Sequence, residues 1–233
     1  MTTKLIAGTV VVGSLLAGIA MASSPEQKPV QLADATMIVE VNATDGDAGL
    51  QAFLDGEAWR TMTISGPDGR RVLSVEANGR LRRLGMTELF SESNEPTFAK
   101  LPLRRFLRRF PEGRYHFAGT TVDGRRLVGS ARLSHDIPAG PKIVSPRADS
   151  TVPRAGAVAA WERVSGVVGY RAIVEREHPL RVFNVDLPAS VTRVAIPPEF
   201  LQPGVRYKLE VQSIARSGNQ TISELEFRVA AGA

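Results

Sequence analysis

Residues 201–211 constrain the fold more strongly than any other part of the chain. A Pro-Gly turn at 203–204 follows Leu201, and from Tyr207 to Val211 every second residue is apolar. Alternation with a period of two predicts a strand that is buried on one face. A tyrosine that opens such a strand directly after a turn is typical of a tyrosine corner, in which the hydroxyl bonds the backbone a few residues upstream. The segment therefore predicts a β-sandwich with a pinned Greek-key crossover.

A second aromatic residue points to the same architecture. Trp161 lies in a short apolar segment well before Tyr207, as the core tryptophan of a sandwich does. With their spacing, these residues resemble the pattern of a fibronectin type III domain over residues 140–233. The residues that carry the resemblance are Trp161, Tyr170, Leu201, Pro203, Gly204 and Tyr207. The resemblance implies adhesion, spacing or scaffolding rather than catalysis.

The resemblance also implies a strand order. Seven strands are expected, and Trp161 and Tyr207 are expected to be buried in the same domain and to serve stability. Their expected ranges are 142–146, 157–162, 168–176, 182–187, 191–196, 207–215 and 222–229.

The first residues of the chain predict export. Lys4 precedes an uncharged apolar run that ends in Ala20-Met21-Ala22, which is typical of a secretory signal over residues 1–22, cleaved after Ala22. An uncleaved anchor is the alternative, because the run approaches the length of a membrane span. The glycines of the run and the small residues at its end favour cleavage. Cleavage would leave no transmembrane segment. Residues 23–34 are polar and predict a linker.

Cysteine usage and length narrow the class of protein. The chain contains 0 Cys, so no disulfide supports its domains and thiolate chemistry is excluded. With a signal peptide, this is typical of a bacterial exported protein, periplasmic or extracellular. A length of 233 residues allows two β domains of roughly 100 residues. We expect the first at 35–139, joined to the second by a Pro/Gly segment at 137–141.

The first domain resembles no family by specific residues. A strand is expected at 37–41, and turn residues predict two hairpins, 60–64 with 71–75 and 113–122 with 126–133. A three-residue loop at 123–125 would place the apolar residues of the second hairpin on one face. The pattern predicts an immunoglobulin-like sandwich with a short helical insertion, so the whole chain is expected to be all-β, with two β-sandwich domains.

The helical insertion carries the candidate interaction surface. Pro102 and Pro111 bracket a segment whose apolar residues, Leu103, Phe106 and Phe110 among them, repeat with helical spacing. Its opposite face holds Arg104, Arg105, Arg108 and Arg109. A membrane-surface helix has this pattern, but the helix is short, which favours packing of the apolar face onto the core. The basic face then suits an acidic protein or a polyanionic envelope component, and nucleic acid is not expected outside the cytosol.

Motifs for chemistry are sparse. Asn42, Asp45 and Asp47 offer oxygen ligands for Ca²⁺ on a Gly-containing turn, but the ligand set is incomplete, and a plain turn is favoured. No cofactor and no catalytic constellation is predicted. The sequence therefore predicts an exported, non-catalytic binding or scaffolding protein of the cell envelope. The alternative is an accessory carbohydrate-binding module, with Trp59 and Phe53 available for sugar.

Overall fold

A computed structural model describes residues 28–176 and 180–231. The predicted signal peptide at 1–22 and residues 23–27 of the predicted linker lie outside the described residues. The described chain is all-β with one short α-helix and two 3₁₀-helices. In order, the elements are β1 Val30–Gln31, β2 Asp34–Asn42, β3 Asp47–Ser65, β4 Arg71–Glu76, a 3₁₀-helix Gly79–Arg82, β5 Met86–Glu92, α1 Leu103–Arg109, β6 Gly113–Thr121, β7 Arg126–Leu133, β8 Ile143–Ser145, β9 Thr151–Val152, β10 Val158–Trp161, β11 Val167–Arg176, β12 Leu180–Pro188, β13 Arg193–Ala195, a 3₁₀-helix Pro198–Phe200, β14 Arg206–Ala215 and β15 Gln220–Val229.

The N-terminal half is a sandwich built around the long strand β3. The first part of β3 pairs with β2 and β5, and its second part pairs with β4 and β6. The register shifts between Asp55 and Thr61, where the strand passes from one layer to the other. Its alternating apolar residues join one buried cluster with those of β2, β6 and β7, which includes Trp59 and Phe117. Phe106 of α1 packs into the same cluster, so the helix covers the core as predicted.

The C-terminal half consists of two sheets around a second cluster. One sheet has the order β13-β10-β8, and the other continues through β15-β14-β11-β12. All seven strands implied by the fibronectin type III resemblance are present, and the additional short strand β9 pairs with β15. Trp161, Tyr170 and Tyr207 all belong to the buried cluster. The predicted fold class, all-β with two β-sandwiches, is confirmed.

The two halves share one sheet. Strand β2 pairs in parallel with β15 through Glu40 and Gln220, Val41 and Thr221, and Asn42 and Ile222, which makes a continuous 12-stranded sheet. We call this β2–β15 pairing the seam. The predicted Pro/Gly segment lies against it, because Pro138 O accepts from Thr221 Oγ1 at 2.6 Å and Ala139 O accepts from Ser213 Oγ at 2.7 Å. These two hydrogen bonds fix Pro138 and Ala139 of the segment to the C-terminal half.

A fully buried asparagine ties the seam together. Asn219 is 0% exposed, and its Oδ1 accepts from Val39 N at 2.9 Å. Its Nδ2 donates to Ser134 O at 2.8 Å and to Asp136 O at 3.0 Å. One side chain thus joins the turn before β15 to β2 and to the segment that follows β7.

Two details of the predicted N-terminal half need correction. Strand β1 lies inside the predicted linker at 23–34, because Val30 and Leu32 pack on the core and Leu32 fills the space above Gly56 and Gly129. The β6–β7 hairpin places its apolar residues on one face as predicted, but Tyr115 pairs with Ala131 and not with Leu133, the partner that a loop at 123–125 gives.

The hairpin loop itself explains the shifted register. Thr121 closes the loop by accepting from Arg125 N at its hydroxyl, at 2.9 Å, and by donating its own N–H to Arg125 O, at 2.9 Å. The loop is therefore centred on residues 122–124 and not on 123–125.

Candidate functional site

The first candidate site is a basic hollow in the N-terminal half. The turn between β3 and β4 lies beside the C-terminal end of α1, and together they enclose a hollow of about 430 Å³. Four arginines line it, Arg70 and Arg71 from the turn and Arg108 and Arg109 from the helix. We call this set the basic hollow. The helix presents these two arginines because its apolar face packs on the core through Phe106.

The charge of the basic hollow is largely uncompensated. Asp68 is its one acidic lining residue, and it pairs with Arg70 at 3.6 Å. Within the described chain, the other three arginines of the hollow take part in no ion pair. Guanidinium groups with free donors are well suited to bind phosphate, sulfate or carboxylate groups in pairs of hydrogen bonds.

The four arginines of α1 fall into two pairs with different positions in the structure. Arg104 and Arg105 are exposed on α1, as predicted, but they do not line the basic hollow. Arg108 and Arg109 do line it, and they are joined there by the two turn arginines, which the sequence analysis did not select. The β3–β4 hairpin was predicted, but its proximity to the helix end depends on tertiary packing.

Tyr115 forms the floor of the basic hollow. Its hydroxyl donates to Pro111 O at 3.0 Å, four residues upstream, and the side chain is 0% exposed. Burial raises the pKa of Tyr115 to about 12, with the charge of Asp68 adding to the effect. The tyrosine therefore stays neutral and fixes the end of α1 relative to β6.

The second candidate site is an acidic groove that crosses the seam. It measures about 660 Å³ and lies on the outer face of the continuous sheet, over β2, β5, β11, β14 and β15. Carboxylates outnumber cationic groups among its lining residues. We call it the acidic groove. It contains two groups of three glutamates, one at each side of the seam.

The glutamates on the C-terminal side surround a lysine. Lys208 Nζ lies 3.4 Å from Glu175, 2.5 Å from Glu210 and 3.4 Å from Glu224. Burial lowers the pKa of Lys208, but the hydrogen bond to Glu210 and the three carboxylate charges outweigh burial and raise it. The ammonium is therefore held charged and balances this side of the groove.

Among the described residues, no cationic side chain forms an ion pair with the glutamates on the N-terminal side. Carboxylate oxygens of Glu40, Glu92 and Glu95 lie within 4.8 Å of one another. Glu40 is buried and accepts from Gln220 Nε2, while Glu92 accepts from Gln51 Nε2 at 2.8 Å. Burial raises the pKa of Glu95 to about 7, and the neighbouring carboxylates, Glu92 first, add to the shift. Burial likewise raises the pKa of Glu40.

The acidic turn that the sequence analysis considered for Ca²⁺ joins β2 to β3. Asn42 Oδ1 accepts from Thr44 N at 2.9 Å and from Asp45 N at 3.1 Å, and Asn42 Nδ2 donates to Asp45 Oδ2 at 3.2 Å. The amide oxygen is thus engaged by the turn, as in an Asx-turn. Asp47 begins β3, and its pKa is raised by burial and by the charge of Asp45.

The aromatic residues of the fibronectin type III pattern lie inside the C-terminal core. Tyr207 is 1% exposed, and its hydroxyl accepts from Gln202 N at 2.7 Å, which is the predicted corner contact. Gly204 takes a positive φ of 75°, so the Pro203-Gly204 turn needs its glycine. Tyr170 packs edge-on against Trp161 with ring centroids 5.3 Å apart.

Leu201, another residue that carries the fibronectin type III resemblance, is also buried. Trp59, considered above for sugar binding, is 0% exposed in the N-terminal core, so its ring is not available to a ligand.

Comparison with known proteins shows similarity only at the level of structure. No protein-family model matches the chain, and no curated protein matches it. The fn3 domain of the human collagen alpha-1(XX) chain is similar at 18% identity and a TM-score of 0.32, over 43% of this chain and 91% of that one. The FN1-FN3 domains of chicken CNTN1 are similar at 11% identity and a TM-score of 0.32, over 86% of this chain and 65% of that one. A segment of two fibronectin type III domains from chicken tenascin is similar at 13% identity and a TM-score of 0.29, over 85% of this chain and 95% of that one.

Within residues 28–176 and 180–231, no helix has the length and apolar character needed to cross a bilayer.

Proposed function

We propose that this protein is an exported, non-catalytic binding or scaffolding protein of the cell envelope, built from an immunoglobulin-like domain at 35–139 and a fibronectin type III domain at 140–233. Its partner is a polyanionic component of the envelope, which docks in the basic hollow. The observation that carries the proposal is the group of four arginines around one hollow with a single acid among them.

Burial separates the parts of the molecule that stabilise it from the part that binds. The aromatic residues of the fibronectin type III pattern lie in the C-terminal core, where they support that sandwich. The arginines of the hollow are exposed, and three of them have no ion pair within the described chain. Exposed charges contribute little to folding, so their clustering is better explained by a ligand than by stability.

The chemistry of the hollow defines the ligand class. Arginine binds phosphate, sulfate and carboxylate groups through paired hydrogen bonds, and a cluster of arginines attracts chains that carry several such groups. An anionic glycan and an anionic lipid surface both present them. A glycan enters the hollow as a chain, whereas a lipid surface requires the whole exposed face of α1 to approach the bilayer.

Two double variants on the same helix test this proposal. R108Q/R109Q removes charge from the hollow, and R104Q/R105Q, its matched control, removes the same charge from the same helix outside the hollow. Binding is measured by fluorescence anisotropy with labelled heparin as the glycan probe, and by sedimentation with phosphatidylglycerol vesicles as the lipid probe.

The proposal predicts that R108Q/R109Q weakens heparin binding by at least about tenfold, the equivalent of one lost charged hydrogen bond. R104Q/R105Q should change it by much less. Equal losses in both variants would show diffuse attraction to the helix, and vesicle binding without heparin binding would identify a lipid surface instead. Absence of binding to both probes at low salt would remove the proposal.

A further inference from the structure

The loop between β4 and β5 holds two leucines outside the core. Leu81 is 47% exposed and Leu84 is 72% exposed, the largest exposed fraction of any large hydrophobic residue in the described chain. The loop forms a helical turn, in which Gly85 N donates to Leu81 O at 2.7 Å. Residues three apart are neighbours on such a turn, so the two leucines form one apolar site at the surface. We call residues 77–85 the leucine–arginine loop.

Three arginines alternate with these leucines. Arg80, Arg82 and Arg83 are exposed, and none of them takes part in an ion pair within the described chain. The loop contains no acidic residue, and the nearest acids in the sequence are Glu76 before it and Glu88 after it. The loop therefore presents apolar and cationic side chains together, with no anion of its own to balance them.

Packing at its base fixes the loop in this position. Ala77 is 2% exposed, and its N–H donates to Arg60 O at 2.7 Å. Gly85 takes a positive φ of 77°, and a Cβ there would lie 2.9 Å from Trp59 O and 3.2 Å from Val122 Cγ2. Glycine therefore lets the loop close directly against β3 and the β6–β7 turn. A loop that is already held in place loses little conformational entropy when its tip binds a partner.

The N-terminal segment joins the first domain at the same end. Strand β1 runs parallel to β7, with Val30 opposite Leu127, so the exposed Lys28 lies towards the β6–β7 turn and adds a positive charge there. In the sequence, the uncharged apolar run at 5–22 precedes Lys28. The run that the sequence predicts to engage a membrane, as a signal or as an anchor, therefore precedes the end of the domain that carries the leucine–arginine loop.

We propose that the leucine–arginine loop docks on an anionic lipid surface. Leu81 and Leu84 insert at the level of the headgroups, and the arginines bind lipid phosphates, which combines the two attractions that hold peripheral proteins on such surfaces. An anionic glycan in solution would engage the arginines but would give the exposed leucines no apolar environment. The lipid surface is the partner that uses both kinds of side chain.

This docking surface is separate from the basic hollow and goes beyond the proposed function. Strand β4 connects the two sites, since Arg71 at its start lines the hollow and Glu76 at its end adjoins the loop. A strand of this length spans about 17 Å. A protein docked through the leucine–arginine loop therefore keeps the hollow free for another ligand.

A tryptophan reporter in the full-length protein tests the proposal, because it records contact of the loop itself with lipid. The reporter is L84W, and its matched control is V144W, at a valine of the C-terminal half that is 48% exposed. The two native tryptophans are buried, so subtraction of the wild-type signal isolates each reporter. Quenching is measured with vesicles of phosphatidylglycerol and brominated phosphatidylcholine, and with vesicles of brominated phosphatidylcholine alone.

The proposal predicts strong quenching of L84W, but not of V144W, in the anionic vesicles, and much weaker quenching in the neutral ones. In the L84W background, R80Q/R82Q/R83Q should lose most of this quenching, whereas R108Q/R109Q should retain it. Melting temperatures show whether each variant is folded.

Four results would overturn the proposal. They are equal quenching of L84W and V144W, equal quenching in both kinds of vesicle, loss of quenching in R108Q/R109Q but not in R80Q/R82Q/R83Q, and no quenching of folded L84W. The first would indicate adsorption without orientation, and the third would move the contact to α1. Any of these results leaves the basic hollow to be judged separately by heparin binding.

Discussion

Asn219 should be among the most sensitive polar positions in the protein. Its side chain makes three hydrogen bonds of 2.8 to 3.0 Å, to β2 and to the segment after β7, and it is 0% exposed. Asn219→Ala removes all three, and it leaves the buried N–H of Val39 and the carbonyl of Ser134 without these partners, whereas Asp136 O still accepts from Ser217 Oγ at 3.3 Å. At roughly 1 kcal/mol for each lost bond and a further 1–3 kcal/mol for an unsatisfied buried group, the loss should total about 4 kcal/mol.

Equilibrium unfolding in urea measures this loss, followed by the fluorescence of the two tryptophans, one of which is buried in each half. Asn184→Ala, an exposed asparagine on β12, is the control and should shift the free energy of unfolding by less than about 0.5 kcal/mol. Asn219→Asp keeps the acceptor for Val39 but places an oxygen against two carbonyls, so it should also destabilise. A loss below about 1 kcal/mol in Asn219→Ala would show that the seam does not depend on this side chain.

Three other predictions concern the tyrosines, the acidic groove and the helix. Tyr115→Phe and Tyr207→Phe should each lower the free energy of unfolding by about 1 kcal/mol in the same urea assay, because each loses one buried hydrogen bond. An unchanged free energy for either variant would show that its tyrosine does not act as a tyrosine corner. The protein should lose stability as pH rises from 4.5 to about 7, because Glu95 binds its proton more tightly in the folded state, and Glu95→Gln should flatten that part of a plot of melting temperature against pH. The four helix arginines are Arg104, Arg105, Arg108 and Arg109. Replacing all four by Gln should change the free energy of unfolding by less than about 1 kcal/mol relative to wild type. A variant that does not fold would show that these arginines are structural.

Local pattern predicted the elements of this fold well. Alternation and turn residues located both hairpins of the N-terminal half, helical spacing located the helix, and the fibronectin type III resemblance implied the strands of the C-terminal half. They succeeded because burial on one face imposes a period on the sequence. The corner at Tyr115 had a signal of the same kind, since Pro111 precedes Tyr115 by the interval that separates Pro203 from Tyr207. That repeated interval was the missed clue.

Long-range pairing was not predictable from these patterns. The seam joins residues separated by 180 positions, as the bond between Val39 and Asn219 shows, and parallel pairing leaves no turn between the partners to mark it. The acidic groove depends on this pairing, because Glu40 and Gln212 share one face only when the two halves form one sheet. In the sequence, Asn219 is an unremarkable loop residue, and its burial follows entirely from the seam.

The salt dependence of heparin binding tests the proposed function most directly. Each arginine that engages an anionic group releases about one counterion, so the slope of log affinity against log salt counts the contacts. The proposed function predicts that wild type binds, that R108Q/R109Q shows a slope smaller by about two, and that R104Q/R105Q keeps the slope of wild type. Equal slopes in all three proteins, or no binding by wild type at low salt, would contradict a polyanion-binding role for the basic hollow.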